Sequence, residues 1–250
     1  MGGPTNIPRL LNKGLFRSVR SSPPSYYYSL NSTNFPPPPV PSILPHLFHE
    51  SSIFHEYCRD EYPDGTDANN LPPSALSTLI TQASSAPTFS PTTFFEATLT
   101  HSELLCRVDI LHLTSPTSLS LIEVKSKSHS SSSPKIFTKA GKIAAPYKPY
   151  VDDVAFQYNI AHRAFPNHTV TPFLLLPDKS KTIAADAEIA TLIDLSNHVP
   201  GLVADPSFTD TIDACLQLLS SSMYTDNVDP ATGKEESEWQ ASGASELAVS

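Results

Sequence analysis

The chain has 250 residues and a formal charge of −9, the length of one ordinary domain with room for appended tails. Charged residues are 16% of the chain against about 25% in typical domains, and 25 prolines stand beside 8 glycines, so part of the chain reads as linker or loop. No run of about 20 apolar residues occurs, which excludes an apolar membrane span; Cys58, Cys106 and Cys215 lie far apart with no C-x-x-C pair, which excludes a disulfide scaffold and fits a reducing compartment.

Residues 1–49 carry Arg9, Lys13, Arg17 and Arg20 and no acid. Two readings share this segment. Its Ser- and Arg-rich, acid-free composition is that of a mitochondrial or plastid transit peptide, which predicts a mature protein starting after Tyr28. The near-helical spacing of Leu10, Leu11, Leu15 and Phe16 instead predicts the first helix of the domain. Without a transit peptide, the cytoplasm or nucleus is the expected compartment. Asn34 to Pro45 contains Pro36 to Pro39 in a row and reads as a polyproline linker. Residues 1–46 are therefore set apart from a domain over 47–222.

Leu47, Phe48, Ile53, Phe54 and Tyr57 predict a short helix that stops at the turn signal Pro63-Asp64-Gly65. Leu76 to Thr81 predicts another, closed by Pro87 and Pro91. Three strands follow, Phe94 to Leu99, Leu104 to Leu113 and Leu119 to Lys125, the last two joined as an antiparallel hairpin by a five-residue loop, Thr114 to Ser118. Ser126 to Ser133 is a low-complexity loop of Ser, His and Lys. Tyr150 to Phe165 predicts a helix with Asp152 or Asp153 near its start, and Thr169 to Leu176 a fourth strand. Ile183 to Leu195 and Phe208 to Leu219 read as helices. From Tyr224 onward six acids face Lys234 alone, and residues 223–250 read as an acidic disordered tail. Strands, a helix, another strand and peripheral helices describe an α/β or α+β sandwich.

The chemistry concentrates in Leu121-Ile122-Glu123-Val124-Lys125. Alternation along a strand puts Glu123 and Lys125 on one face, and the preceding strand carries Asp109 inside an apolar run. Charges at such positions are costly unless paired or bound to a metal. The two carboxylates and the Val124 backbone carbonyl offer hard oxygen ligands suited to Mg²⁺. Lys125 is placed to orient or deprotonate an attacking water and to stabilise charge on phosphate oxygens. The other reading is a structural salt bridge from Lys125 to Asp109 or Glu123. Lys125, Lys127, Lys135, Lys139, Lys142 and Lys148 follow Glu123 with no intervening acid, a local surplus that meets phosphate even though the whole chain is anionic.

Asp109, a hairpin and then Glu123-x-Lys125 resemble the core of the PD-(D/E)XK nuclease superfamily. The blocks "EATLTHSELLCRVDILHL", "SLIEVKSKS", "YVDDVAFQYNIAHRAF" and "FLLLPDKSKT", with weaker matches in "LLNKGLFRSVRSSPPSYYYSL" and "IFHEYCRDEYPDG", are similar to a RecB-type branch of domains predicted to be nucleases. The resemblance runs from Leu10 to Thr182. It implies an α/β fold with a restriction-endonuclease-like core, a mixed β-sheet with an antiparallel hairpin flanked by helices. It implies Asp109 and Glu123 as metal ligands, Lys125 as the catalytic lysine and Gln157 as the helical glutamine beside the site. Asp153, one turn before Gln157, shares its face, and Glu96 matches an acid near the first core strand. His55 falls near the branch's metal-binding histidine, with Ser51 where a glycine is usual. The implied cofactor is Mg²⁺ or Mn²⁺, and the implied partner is nucleic acid, DNA before RNA.

Two departures stand out. Ser21-Ser22-Pro23 occupies the place of a Cys-Pro pair, so no iron–sulfur cluster is expected. Tyr158 follows Gln157 directly, and Ala161 stands where the branch's tyrosine belongs. The expectation is a metal-dependent nuclease; the alternative is a catalytically inactive module of the same fold that binds nucleic acid or a protein. Asp178 and Lys179 read as a strand-end turn rather than a second catalytic pair.

Overall fold

Runs rich in Val, Ile, Leu and Phe, bounded by turns, supply the central strands of a six-stranded mixed sheet. The computed structural model describes residues 10–21, 44–181 and 189–220. The strands are β1 (Thr66–Asp67), β2 (Thr92–His101), β3 (Leu104–Ser115), β4 (Ser118–Val124), β5 (Thr169–Pro177) and β6 (Ala190–Asp194), paired in that order. β1 runs parallel to β2 and β4 parallel to β5, while the other neighbours are antiparallel. The parallel β4–β5 step needs a crossover. Helix α4 (Lys148–Ala164) supplies it.

Both faces of the sheet are covered, which makes the fold α/β. One face packs on α1 (Lys13–Ser21), α3 (Pro73–Ser84), α4, α5 (Val199–Ala204) and α6 (Pro206–Ser220). The other meets α2 (Leu44–Asp60) through Phe54 and Cys58, which share one apolar cluster with Phe95, Ile110, Ile122 and Val124. Pro45 falls in the first turn of α2, where a missing N–H is harmless, so the proline run gives way to helix at Leu44. No described helix is long and apolar enough to cross a membrane.

Helix α1 lies in the basic start of the chain. Asn12 caps it, its Oδ1 accepting the Leu15 N–H at 2.9 Å. Ahead of it, Leu11 exchanges backbone hydrogen bonds with Glu103 and Leu105 at the start of β3. Leu11, Leu15, Phe16 and Val19 are buried, and the Phe16 ring lies 4.9 Å from Phe156 and 5.0 Å from Phe208. The segment is a helix of the domain core, as its apolar spacing predicts, and cleavage after Tyr28 would remove it. Residues 1–9 of the transit-peptide reading, most of the polyproline linker and the acidic tail lie outside the described residues.

The structure corrects two local expectations. The predicted helix over Ile183 to Leu195 contains strand β6, which runs antiparallel to Phe173–Pro177. Its earlier half lies outside the described residues. The ladder that pairs Ala190 with Pro177 through Asp194 with Phe173 makes the segment a strand. The free edge of β5 gives this segment, with its β-branched Thr191 and Ile193, a ladder to join. The β3–β4 hairpin is also tighter than the predicted five-residue loop, since Ser115 pairs with Ser118.

Candidate active site

A break in the strand pattern builds the site. Phe94 and Ala97 of β2 belong to one core and Phe95 to the other; on β3, Val108 and Leu111 belong to the first core and Ile110 to the second. Alternation therefore changes parity on both strands at one level. The ladder pairs Phe95 with Ile110 and Ala97 with Val108, which leaves Glu96 facing Asp109 at the break. Glu96 has φ +52°, a left-handed conformation uncommon for a non-glycine residue and one that clusters at functional sites. Both carboxylates are thereby placed at the irregularity rather than within a regular face.

One strand over, the β3–β4 ladder stops at Ile110–Ile122. Beyond it Asp109 Oδ2 accepts the Val124 N–H at 2.7 Å, so a side chain takes the place of the parting backbone. Lys125 N–H turns the other way, to Leu175 of β5. The Val124 carbonyl lies on the same strand edge as its own N–H, facing Asp109.

Glu123 lies behind this fork, with no exposed surface. Its Oε2 accepts a hydrogen bond from Gln157 Nε2 at 2.6 Å, and the same amide donates to the Arg107 carbonyl at 3.1 Å. Its Oε1 takes two ammonium groups, Lys125 Nζ and, at 2.8 Å, Lys13 Nζ. Asp153, one turn before Gln157 on α4, lies 3.5 Å from Lys125 and 3.4 Å from Arg17. Glu96 is gripped by Arg59 at 2.9 Å and Arg107 at 3.1 Å. His55 reaches in from α2, and its ligand atom, one from Glu96 and one from Asp109 all lie within 4.8 Å of one another.

Charge states follow from this crowding. Burial pushes Glu123 up, but Lys125 and Lys13 outweigh it and hold the carboxyl well below its usual range. Asp109 has less compensation; burial and then Glu123 push it up to about 7. Asp153 is raised by burial and by Glu123. Burial works against the charge on Lys125, but Glu123 prevails and keeps it protonated. Lys13 is held protonated in the same way by Glu123, Asp109 and Asp153. His55 is lowered mainly by burial, which favours the neutral imidazole that can ligate a metal.

Asp109, Glu123, Lys125, Gln157 and Asp153 thus come together from β3, β4 and α4, with His55 and Glu96 at the Asp109 end. Sequence reasoning missed four cations. Lys13 and Arg17 arrive on α1; Arg59 and Arg107 clamp Glu96. The available signal was the spacing of Lys13, Arg17 and Arg20, one cationic stripe opposite Leu15, Phe16 and Val19. Asp178 proves to be a structural knot: its carboxylate accepts bonds from the Ser131 and Ser180 N–H groups and from the Ser180 and Thr191 hydroxyls. The chain matches no model of a known protein family and no curated protein.

Proposed function

We propose that the protein is a metal-dependent nuclease with a restriction-endonuclease-like core of the PD-(D/E)XK type, RecB-like in its helical histidine and glutamine, hydrolysing phosphodiester bonds of DNA. The observation that carries this reading is the convergence of Asp109, Glu123, Lys125 and Gln157 around one fork in the sheet, beside the His55–Glu96–Asp109 group. The donor chemistry fits Mg²⁺ or Mn²⁺, since carboxylate oxygens and a backbone carbonyl, the majority of the donors, are the ligands these ions prefer. Crowded carboxylates, one of them raised to about 7, also gain most from a divalent cation.

Asp109, Glu96, His55 and the Val124 carbonyl would hold the ion, with Glu123 at its inner side. Bound there, the ion supplies Lewis acidity and a water of lowered pKa. Glu123 keeps its negative charge and anchors Lys125. Because Lys125 is held protonated, its part is to bind the phosphate and stabilise the charge that develops there, not to accept the proton of the attacking water. Gln157 fixes the Glu123 carboxylate, and its own position comes from the Arg107 carbonyl. The lysine-rich loop adds local positive charge. Lys127 lies 5.5 Å from the Tyr147 ring centroid and 5.9 Å from that of Tyr150.

The test is incubation of purified protein with single- and double-stranded DNA, and with RNA, with and without Mg²⁺ or Mn²⁺. The expected result is metal-dependent cleavage of DNA that is lost in Asp109→Ala and Lys125→Ala. Cleavage that persists unchanged in both variants identifies a contaminant and ends the claim. One observation favours an inactive binding module of the same fold: both oxygens of Glu123 are already engaged by Lys13, Lys125 and Gln157. That reading predicts nucleic-acid binding that needs no metal and weakens steeply with salt.

A further inference from the structure

We infer that Lys13 is a second catalytic cation of this site, binding a non-bridging oxygen of the phosphate being cleaved; the inference rests on the nuclease reading and adds a residue from outside the strands that define it. Glu123 bears a single charge, yet one of its oxygens holds two ammonium groups, Lys13 and Lys125. The carboxylate itself is sealed, whereas the Lys13 and Lys125 side chains keep 26% and 22% of their surface exposed. Asp153 also lies 3.5 Å from Lys125 and 3.4 Å from Arg17, so the cations Lys13, Lys125 and Arg17 stand against the two carboxylates Glu123 and Asp153, one positive charge more than those two balance. One ammonium suffices to neutralise Glu123, and two held against the same oxygen repel each other. Such a surplus is an arrangement for meeting an anion, and the anion of the proposed reaction is a phosphodiester.

Lys13 is also held in place. Asn12 caps its helix, Leu11 is stitched to β3, Phe16 packs between Phe156 and Phe208, and Arg17 is paired with Asp153. A donor fixed before substrate arrives is the kind that stabilises a transition state, because nothing has to reorganise. Arg17, four residues on and 53% exposed, continues the same cationic stripe outward from the scissile position.

The test compares wild type with Lys13→Met, Lys13→Gln and Lys13→Arg, reading kcat and KM separately on a duplex oligonucleotide with Mn²⁺. Thermal melting checks each fold. Lys13→Gln can still hydrogen-bond Glu123 but carries no charge, so it separates a structural role from a catalytic one. The expected result is a fall in kcat of about 100-fold in both Lys13→Met and Lys13→Gln, the usual cost of removing one oxyanion donor, with recovery to within about tenfold in Lys13→Arg. Arg20→Met, in the last turn of α1, removes the ion pair with Asp152 and the guanidinium lying over the Phe16 and Phe208 rings and should leave kcat at the wild-type value. If Lys13→Met fails to fold, Lys13→Gln decides by the same criterion. Wild-type kcat in Lys13→Gln overturns the inference while leaving the nuclease reading intact. An inactive wild type overturns both.

Discussion

Gln157→Glu changes one atom of the buried network and turns the charge-assisted hydrogen bond from Gln157 to Glu123 into a like-charge contact. Gln157 has no exposed surface, and its Nε2 lies 2.6 Å from Glu123 Oε2. A second carboxylate oxygen at that distance would repel the first by about 6 kcal/mol at an effective dielectric of about 20. That exceeds the cost of protonation, so the new carboxyl must stay neutral in the folded protein up to about pH 8. Glu123, held ionised by its two lysines, is not the group that yields.

The new residue thus has a folded pKa raised above its unfolded value of about 4.3. Below that value both states are protonated and the variant loses about 1 kcal/mol for the bond no longer made to the Arg107 carbonyl. Above it the unfolded chain ionises and the folded protein does not, so stability relative to wild type falls by about 1.4 kcal/mol per pH unit. The deficit grows from about 2 kcal/mol at pH 5 to about 5 kcal/mol at pH 7. Urea denaturation followed by circular dichroism, with EDTA present, measures it. A deficit that stays flat between pH 5 and pH 7 would show that Gln157 does not face an ionised, buried Glu123, and the description of the site's inner wall would be wrong.

Other outcomes follow from the same geometry. Phe16→Ala should cost about 3–5 kcal/mol in a denaturant titration, because the ring is fully buried between Phe156 and Phe208; a loss below about 1 kcal/mol would mean that α1 is not part of the core. Asp178→Asn should loosen residues 126–133, read as faster hydrogen exchange around Ser131. Burial alone would raise Asp178, but hydrogen bonds from Ser131, Ser180 and Thr191 hold it below the usual carboxylate range. Its contribution is therefore complete above its unfolded pKa of about 3.9 and fades as pH falls further, so the gap between wild type and Asp178→Asn should narrow in acid. Mn²⁺ at about 100 times its Kd should stabilise the wild type by about 2.7 kcal/mol, seen as a raised Tm, and His55→Ala should abolish most of that rise.

Strands β2 to β5, α4 and the charged positions of β3 and β4 were legible in the sequence because each rests on a local pattern. Asp109, Glu123 and Lys125 stand out as charges in apolar runs, and Asp153 and Gln157 share a face at helical spacing. The break that turns Glu96 toward Asp109 was not legible, since a parity change depends on how two strands bend together. The same holds for β6, whose helical-looking spacing is overridden by the open edge of β5. Lys13 was hidden for a different reason: its partner Glu123 lies 110 residues away, and only the docking of Leu15, Phe16 and Val19 brings it there. The basic composition of the start of the chain was visible from the first, while its contribution to the site follows from packing.

The most direct measurement is the anomalous difference density of crystals grown with Mn²⁺. The account predicts a peak within ordinary coordination distance, about 2.0–2.6 Å, of Asp109 and of at least one of Glu96, Glu123 or His55, with the Lys125 ammonium beside it. Data that place Mn²⁺ elsewhere on the protein, or that leave the fork between β3 and β4 without a peak at saturating metal, would contradict it.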